Sequence, residues 1–253
     1  MSILNFIIKK AAPLPHPEDM DTILFVGPHP DDIEIGAGAT AAKLASMGKK
    51  ITFLICTDGR YGDANTDISG EELAILREKE GRESAHRLGV NDVRYLRFTD
   101  GGFYSAEELK MKIAEVICEV KPDMIFCPDP DVISECHPDH LNVGRICKEL
   151  AFCVSNRSIM EQIGLSSVPL KGIAFYMTAN VNTYVGTKGF FNTQLSSVFD
   201  CHVSQFPEGS SDRTGIEAYL KLRAYIFGLK NMSVTAEGFR VLGNTHMHCL
   251  PEA

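Results

Sequence analysis

Two short segments of this chain bring imidazole and carboxylate groups together: residues 29–32, His-Pro-Asp-Asp, and residues 137–140, His-Pro-Asp-His. A catalytic zinc ion usually takes three protein ligands from His, Asp or Glu and keeps a fourth position for water. His29 and Asp32 lie in one tight loop, so both can reach a single ion, and His140 can supply a third ligand from the second segment. These residue types at this spacing predict the centre of a metal-dependent hydrolase.

Two further polar groups, Asp31 and His137, are not needed as ligands in this scheme. Both therefore stay free for proton transfer to and from a substrate. A purely structural alternative applies to the carboxylates, because Asp31 or Asp32, and likewise Asp139, can cap the helix that follows each segment. Either segment alone supports a metal site weakly, whereas the two together support it strongly.

The elements that must position these segments alternate between strand and helix. Apolar runs predict strands over 22–27, 50–56, 93–98 and 123–127, and periodic apolar residues predict helices over 36–47, 71–88, 106–120 and 139–154. Two capping boxes, Ser69 with Glu72 and Ser105 with Glu108, mark the starts of two of these helices. Such alternation pairs strands in parallel through right-handed crossovers, which indicates an α/β fold with a three-layer, doubly wound, mostly parallel Rossmann-like sheet.

The expected order of the strands explains how two distant segments can share one ion. In the common order 3-2-1-4-5, the first and fourth strands are neighbours, and their connections leave toward opposite faces of the sheet. The segments at 29–32 and 137–140 follow these two strands. They therefore converge in the crevice at the carboxyl ends of the strands, where such folds bind ligands.

The remainder of the chain is less regular. We expect strands over 172–177 and 198–200, a helix over 214–227, and a long Gly- and Asn-rich loop over 178–193. No linker or repeat separates a second unit, so residues 1–253 are expected to form one domain. The isolated histidines His16, His86 and His202 are predicted to be surface or core residues. His246 and His248, near the C-terminus, can line a pocket, but a structural role is the preferred interpretation for both.

Composition narrows the class of function. A net charge of -8 and a pI of about 5.5 argue against nucleic acid or an anionic membrane as a partner. No apolar stretch approaches the ~18–20 residues of a membrane helix, and the apolar residues 3–8 lack the preceding positive charge of a signal peptide. Cys56, Cys118 and Cys127 lie inside apolar runs, which indicates buried thiols in a reducing cytoplasm rather than disulfides.

A dinucleotide-binding oxidoreductase is an alternative function. Gly36, Gly38 and Ala41 follow the first strand, and Asp58 lies about 20 residues further on, which imitates a dinucleotide fingerprint. In that fingerprint, however, the first glycine makes the turn directly after the strand, whereas Gly36 stands well beyond it. The glycines are therefore expected to allow close packing of a helix on the sheet.

A non-catalytic module that binds sugar or metal is a further alternative. Such a module would have no use for the spare Asp31 and His137. A hydrolase needs groups of this kind for proton transfer. The hydrolase is therefore the preferred interpretation.

Five segments extend this interpretation to a known family. They are residues 29–36 (His-Pro-Asp-Asp-Ile-Glu-Ile-Gly), 57–59 (Thr-Asp-Gly), 77–80 (Arg-Glu-Lys-Glu) leading to Leu88-Gly89, 137–140, and 236–239 (Ala-Glu-Gly-Phe). Along most of its length the chain resembles the LmbE/PIG-L-type zinc-dependent N-acetylglucosaminyl deacetylases. The first and fourth segments are specific to that family, and the others are supportive. The chain looks most similar to members that act on small GlcNAc conjugates, such as those of bacillithiol synthesis.

The resemblance implies a role for each residue of the two motifs. His29, Asp32 and His140 would bind Zn²⁺ or another divalent metal, and Asp31 would be the general base. His137 would stabilise the oxyanion or help to protonate the departing amine. The implied reaction removes the N-acetyl group from a small-molecule GlcNAc conjugate, giving acetate and a glucosamine derivative, in an enzyme that can form a homo-oligomer.

The resemblance also bears on two residues that it does not imply as metal ligands, Arg77 and Asp139. Arg77 resembles the substrate-binding arginine of the family, although from its position in a helix it can equally be a solvated charge. Asp139 is expected to orient a histidine, as carboxylates behind metal ligands do. Two features depart from the family: Glu135-Cys136 replaces a basic residue found in many relatives, and the loop at 61–69 is individual. Both are expected near the rim of the pocket, where they bear on substrate identity.

Overall fold

Strands and helices alternate through the first half of the chain, as the apolar pattern predicts. A computed structural model describes residues 10–62, 67–68 and 70–248. The strands are β1 Thr22–Gly27, β2 Lys50–Thr57, β3 Asp92–Phe98, β4 Met124–Pro128, β5 Gly172–Tyr176, β6 Thr183–Gly186 and β7 Ala236–Gly243. The α-helices are α1 Asp32–Ser46, α2 Glu71–Arg87, α3 Ala106–Val120, α4 Pro138–Cys153, α5 Arg157–Gln162, α6 Phe191–Ser196 and α7 Ser211–Lys230.

Within the described residues the strands form one sheet in the order β3-β2-β1-β4-β5-β7-β6. Strand β1 pairs in parallel with both β2 and β4, so that Phe25 lies opposite Phe53 on one side and Phe126 on the other. The predicted order 3-2-1-4-5 is confirmed, and the antiparallel strands β7 and β6 extend the sheet beyond β5. The two motif segments therefore leave from neighbouring strands, while the expectation of a single domain over 1–253 stays a prediction.

Each face of the sheet carries its own hydrophobic cluster. Leu24 and Val26 of β1 pack on one face with residues of α3 and α4. Ile23 and Phe25 pack on the other face with residues of α1 and α2, and the rings of Phe25 and Phe126 stack with centroids 4.4 Å apart. Because successive side chains of a strand point to opposite faces, a buried central strand serves both clusters and is apolar throughout.

Helix α3 shows how local sequence sets the limits of an element. The Ser105 hydroxyl accepts a hydrogen bond from the backbone N–H of Glu108 at 3.3 Å, as its capping box predicts. The helix ends at Val120, and Lys121 adopts a left-handed conformation before Pro122. The other capping box begins at Ser69, which lies outside the described residues.

Several expectations for the second half of the chain are wrong. Residues 198–200 are not a strand but part of a π-helical segment, Ser197–Cys201, because Val198 and Phe199 pack against α7 rather than in the sheet. The loop expected over 178–193 contains β6 and the start of α6. Strand β7 was not predicted, since its interior charges Glu237 and Arg240 hide the apolar pattern. Short apolar runs do not by themselves distinguish strand from helix.

The cysteines bear on the expectation of buried thiols. Cys56 and Cys127 are buried free thiols, whereas Cys118 is half-buried and Cys136 is exposed. Burial raises the pKa of the Cys56 thiol well above its usual range, which keeps it inert.

Across the part of the chain that the structure describes, no helix has the length and apolar character needed to cross a bilayer.

Gly36 and Gly38 of α1 allow other side chains to pack closely against the helix, as expected. A Cβ on Gly36 would lie 2.3 Å from Cδ2 of Tyr176, whose ring is fully buried. The Tyr176 hydroxyl donates a hydrogen bond to the carbonyl oxygen of Val26 at 2.9 Å, so the ring cannot move aside freely. A Cβ on Gly38 would lie 3.1 Å from Cγ of Gln194. Side chains thus cover both glycines at the positions where a dinucleotide fingerprint needs an open backbone, and that alternative is wrong.

Replacing Gly36 by Ala should therefore destabilise the protein. Overpacking against the Tyr176 ring is expected to lower the free energy of unfolding by about 1–3 kcal/mol, measured by denaturant titration. Gly215 is the matched control because it lies in α7 and has nothing within 4 Å of a built Cβ. Gly215→Ala should raise the stability by up to about 1 kcal/mol. Equal stability of Gly36→Ala and wild type would contradict the packing role.

Candidate active site

Polar side chains follow the carboxyl ends of four adjacent strands. The segment at 29–32 follows β1, Asp58 follows β2, Asp100 follows β3, and the segment at 137–140 opens α4 after β4. A pocket opens among them, lined by His29, Asp31, Tyr61, Gly62, Arg77, Asp100, Gly101, His137 and Gln205. The predicted convergence of the two motif segments at this edge of the sheet is thus present in the structure.

One cluster of donor atoms fits a divalent metal. Nδ1 of His29 lies 3.0 Å from Oδ2 of Asp32, and Nε2 of His140 lies 3.3 Å from Oδ1 of the same carboxylate. Donor atoms of these three residues all lie within 4.8 Å of one another. Burial alone would raise the pKa of Asp32, but the two imidazoles outweigh it and hold the pKa well below the usual range. Two imidazole nitrogens and an ionised carboxylate form a common donor set for zinc.

A second group of residues near His29 is less suited to a metal. Asp100, His137 and Asp139 also lie within reach of a common ion with His29. The Asp139 carboxylate, however, already accepts hydrogen bonds from the backbone N–H groups of Gly101 at 2.7 Å and Gly102 at 2.8 Å. Its oxygens are therefore engaged, and the group acts better as a hydrogen-bond partner than as a metal ligand.

The far nitrogen of His29 faces carboxylates, as expected for a ligand histidine. Nε2 lies 3.1 Å from Oδ1 of Asp100 and 3.1 Å from Oδ2 of Asp139. Burial lowers the pKa of His29, but its hydrogen bonds with Asp100, Asp139 and Asp32 outweigh that effect and raise it well above the usual value. An Nε2–H donated to these carboxylates leaves Nδ1 and its lone pair for a metal. The expectation that Asp139 orients a histidine agrees with this contact.

The helix-cap alternative for Asp139 is wrong. At the start of α4 the capping group is His137, whose Nδ1 accepts a hydrogen bond from the backbone N–H of Asp139 at 3.3 Å. Since a neutral imidazole carries one N–H, this contact leaves the proton on Nε2. Burial and the neighbouring His29 and His140 lower the pKa of His137, which keeps the ring neutral. His137 thus presents a neutral N–H donor on the wall of the pocket.

Glu135 contacts both histidines of the second segment. Oε2 of its carboxylate lies 2.9 Å from Nδ1 of His140, and Oε1 accepts a hydrogen bond from the backbone N–H of His137 at 2.8 Å. Burial lowers the pKa of His140, but Asp32 and Glu135 outweigh it and raise that pKa to about 9. The sequence suggested only a place on the rim for Glu135. The structure places its carboxylate directly behind His140.

Asp31 has an unusual backbone. Its φ of 118° lies in the region that disfavours residues with a side chain, and its carboxylate makes no capping hydrogen bond to α1. The carboxylate instead lies 3.2 Å from Nη2 of Arg77. Burial raises the pKa of Asp31 to about 6, and Arg77 opposes that rise only in part. The helix-cap alternative for Asp31 is therefore wrong, and strained backbone of this kind is concentrated at functional sites.

Arg77 is buried rather than solvated. It is 3% exposed, and its guanidinium donates to the carbonyl oxygens of Gly59 at 2.9 Å and Pro30 at 2.8 Å as well as to Asp31. The alternative of a solvated helix charge is thus wrong. Arg77 joins the loops after β1 and β2 and lines the pocket, while its contact with a substrate stays a prediction.

The sequence analysis missed Asp100. Its carboxylate links Nε2 of His29 to the backbone N–H of Tyr61, which it accepts at 3.2 Å. The available signal was an Asp directly after the third predicted strand, in the turn Thr-Asp-Gly-Gly at 99–102. Polar residues after the parallel neighbours of a motif-bearing strand can reach the same site, because the carboxyl ends of these strands meet at one edge.

The remaining histidines lie apart from the donor cluster. His202 is fully buried, with Nε2 3.5 Å from Oε1 of Glu34, as a core histidine would be. His86 is exposed and His16 caps a short 3₁₀ turn. His246 is buried near Gly243, and His248 lines a separate pocket with Phe152.

Comparison with known proteins places this geometry in a family. Residues 24–151 match the family described as PIG-L, GlcNAc-PI de-N-acetylase. Diacetylchitobiose deacetylase of Thermococcus kodakarensis is 33% identical over 239 residues, which cover 93% of this chain and 88% of that protein. A probable N-acetyl-alpha-D-glucosaminyl L-malate deacetylase 2 of Bacillus cereus is 34% identical over 130 residues, 49% of this chain and 57% of that protein. Among solved structures, this chain is similar to N,N'-diacetylchitobiose deacetylase from Pyrococcus horikoshii complexed with its inhibitor MPG. The superposition has a TM-score of 0.87 at 30% sequence identity, and it covers 99% of this chain and 97% of that chain.

The donor cluster generates a prediction about metal content. Purified protein should hold about one divalent ion per chain, and His140→Ala should lose it because one of three donors is gone. Glu135→Ala removes no donor but leaves Nδ1 of His140 without its acceptor, so the metal affinity should fall about 10- to 100-fold. Elemental analysis after dialysis against a graded chelator measures both, and circular dichroism checks the fold. Full occupancy in His140→Ala would contradict the assignment.

A second prediction concerns the buried Arg77. Arg77→Ala leaves Asp31 and two buried carbonyl oxygens without their donor, so the free energy of unfolding should fall by about 3 kcal/mol or more. Arg157→Ala is the control, because this side chain is 82% exposed and forms a surface ion pair with Glu161. That variant should change stability by less than about 1 kcal/mol. Equal effects of the two substitutions in denaturant titrations would mean that Arg77 has no structural role.

Proposed function

The chain belongs to the PIG-L family of deacetylases, and on this premise we propose that it removes the N-acetyl group from a small N-acetylglucosamine conjugate. It is an amide-hydrolysing enzyme, and the products are acetate and a glucosamine derivative. The observation that carries the proposal is the cluster of His29, Asp32 and His140 at the carboxyl ends of β1 and β4, next to the pocket that His29 and Asp31 line. A metal centre next to a spare acid is what hydrolysis of an amide needs and what a binding module does not.

We propose that His29, Asp32 and His140 hold the metal and that it is zinc. The donor set of two imidazoles and one carboxylate supports zinc over harder ions, which prefer oxygen ligands alone. When bound, such an ion acts as a Lewis acid that lowers the pKa of a water and polarises the carbonyl of the acetyl group. Asp139, Asp100 and Glu135 keep the two imidazoles in the tautomers and orientations that binding requires.

Asp31 has the position and the proton affinity of a general base. It lies next to Asp32 in sequence, yet burial raises its pKa to about 6 while that of Asp32 stays well below the usual range. A base works best when its pKa lies close to the working pH. In the proposed reaction Asp31 takes a proton from the attacking water as the new C–O bond forms. It then returns that proton to the nitrogen, so that the C–N bond breaks and a neutral amine leaves.

His137 has the features of an oxyanion donor. Its Nδ1 is occupied by the backbone N–H of Asp139, so its Nε2 carries a proton that it can donate. Since the ring is held at the first turn of α4, the donor is oriented before the substrate arrives. A preorganised N–H directed at the carbonyl oxygen stabilises the negative charge that develops there during attack.

The proposal predicts a chelator-sensitive deacetylation that depends on Asp31. The metal-loaded enzyme should release acetate and a primary amine from a GlcNAc conjugate and should show no saturable binding of NAD or NADP. Asp31→Asn should keep the metal, because no donor is changed, yet lose about 10²–10⁴-fold in kcat. A helix cap would instead tolerate Asn with little loss of activity.

Three measurements separate the outcomes. Released amine is assayed with a fluorogenic reagent, bound metal by elemental analysis, and stability by thermal unfolding of each variant. The amide oxygen that Asp31→Asn introduces can still accept a hydrogen bond from Arg77, so the variant should fold. Turnover close to wild type in the metal-loaded variant would remove Asp31 from the role of base.

A further inference from the structure

Helix α1 is broken one turn after Asp32. Ala37 has a φ of -150° and a ψ of 16°, which lie outside the helical region. In a regular helix the carbonyl oxygen of Ile35 would accept the N–H of Ala39, and the next carbonyl oxygen would accept the N–H of Thr40. Both hydrogen bonds span Ala37, so its angles distort them. The backbone groups on the two sides of this break therefore need other partners.

A guanidinium from α7 binds the carbonyl side of the break. Nη2 of Arg223 donates to the carbonyl oxygen of Ile35 at 2.8 Å and to that of Gly36 at 3.4 Å. Nε2 of Gln194, in α6, donates to the carbonyl oxygen of Glu34 at 2.8 Å. A positive group at the end of a helical turn also opposes the partial negative charge of its free carbonyl groups. The first turn of α1 thus ends on side chains from other helices.

A buried carboxylate from β7 binds the N–H side of the break. Glu237 is 2% exposed, and its carboxylate accepts the N–H of Thr40 at 2.7 Å and that of Ala39 at 3.3 Å. Nε2 of Gln194 donates to the same carboxylate at 2.8 Å, which links the two sides. Side chains inserted into the ladder of helical hydrogen bonds are a recognised cause of sharp kinks. Arg223 and Glu237 therefore hold the break from opposite sides.

The turn that ends at this break carries Asp32. Its carboxylate lies between two imidazoles, 3.0 Å from Nδ1 of His29 and 3.3 Å from Nε2 of His140. Beyond the break, α1 packs on the sheet through Ala41 and Leu44. The break lets the first turn take its own direction while the rest of the helix keeps that packing. Because Asp32 is one turn away from the carbonyl groups that Arg223 binds, a change in the direction of this turn moves the carboxylate.

We propose that Arg223 and Glu237 are positioning residues of the metal centre, which hold the break in α1 and so place Asp32 between its two imidazoles. The inference rests on the proposed function, because it takes Asp32 as a metal ligand. Neither residue touches metal or substrate, and their effect passes through the backbone of residues 34–40. Both lie outside residues 24–151, which match the family, and the 236–239 segment that resembles the family owes its glutamate to this contact.

The affinity for Zn²⁺ tests the role of Arg223. Arg223→Met keeps an unbranched side chain next to the Tyr219 ring but removes the donor to Ile35. Competition with a chromophoric chelator should show an affinity about 10-fold lower, the smaller loss expected when a group behind a metal ligand is removed. Arg223→Lys keeps a donor and should recover most of the affinity. Wild-type affinity in the folded Arg223→Met variant would overturn the proposal.

Arg213 provides a matched control on the same helix. Its Nη1 donates to the carbonyl oxygens of Phe199 at 2.9 Å and Phe206 at 3.3 Å, and its guanidinium lies over the Phe199 ring much as that of Arg223 lies over Tyr219. Arg213→Met should lower the stability to a similar degree, yet it should leave the Zn²⁺ affinity unchanged because neither carbonyl belongs to α1. Equal losses of Zn²⁺ affinity in the two variants would mean a general effect on stability and would contradict the positioning role.

Glu237→Gln tests the other side of the break. The substitution turns one acceptor oxygen into an amide nitrogen that cannot accept an N–H, so the Zn²⁺ affinity should fall. Combined with Arg223→Met, the two losses should be less than additive, because either substitution alone releases the same break. Fully additive losses would show that the two residues act independently and would overturn their shared role.

A structural measurement keeps this inference distinct from the proposed function. Crystal structures of metal-free wild type and Arg223→Met give the distance from Oδ1 of Asp32 to Nε2 of His140, which should lengthen from 3.3 Å in the variant. An unchanged distance would count against the positioning role. Wild type that releases no amine from any GlcNAc conjugate, while this distance and the Zn²⁺ affinity respond as expected, would refute the deacetylase function and support the positioning role.

Discussion

Parallel pairing of β1 with β4 is the constraint on which the site depends. The pairing sets Leu24 opposite Ile125 and Phe25 opposite Phe126, and stacked rings and buried aliphatic side chains on both faces hold that register. Because the connections that follow the two strands run to opposite faces, the chain leaves a crevice between them. Every contact of His29 with residues of α4 exists because this register brings the two strand ends together.

Charged groups that lie in this crevice are removed from water, so each of them needs a hydrogen-bond partner or an opposite charge. Asp32 lies between two imidazoles, and Asp139 accepts two backbone N–H groups and the hydroxyl of Tyr104. Each carboxylate therefore has at least one partner from a distant part of the chain. These hydrogen bonds and ion pairs make the site rigid before a substrate enters. Precise orientation of metal ligands and hydrogen-bond donors requires such rigidity.

Two adjacent carboxylates acquire different chemistry from their surroundings. Asp32 lies between the imidazoles of His29 and His140 and stays ionised, whereas Asp31 is buried with a single guanidinium and has a pKa of about 6. The positive φ of Asp31 turns its side chain away from α1 and toward Arg77. The strained backbone of Asp31 and the buried Arg77 thus give Asp31 surroundings that differ from those of Asp32. Acid–base catalysis often uses two carboxyl groups in this way, one that stays charged and one that exchanges a proton.

The sequence by itself determined the alternation of strands and helices, the central strand order and the two motif segments. Apolar runs and helical periodicity are properties of neighbouring residues, so they can be recognised without the fold. Strand β7 escaped recognition because Glu237 and Arg240 find buried partners elsewhere, Glu237 on the N–H of Thr40 and Arg240 on Asp129. Only tertiary contacts could make these charges compatible with a buried strand.

The tertiary structure alone decided which histidine each carboxylate contacts. His29 meets Asp100 across 71 residues of sequence and Asp139 across 110, and no local pattern contains those distances. The same is true of Glu135 behind His140, for which the sequence suggested only a place on the rim. It is also true of the buried Arg77, for which the sequence allowed two roles. A sequence motif identifies the side chains that can do chemistry. The orientation and proton affinity of those side chains depend on burial and on partners that only folding brings into contact.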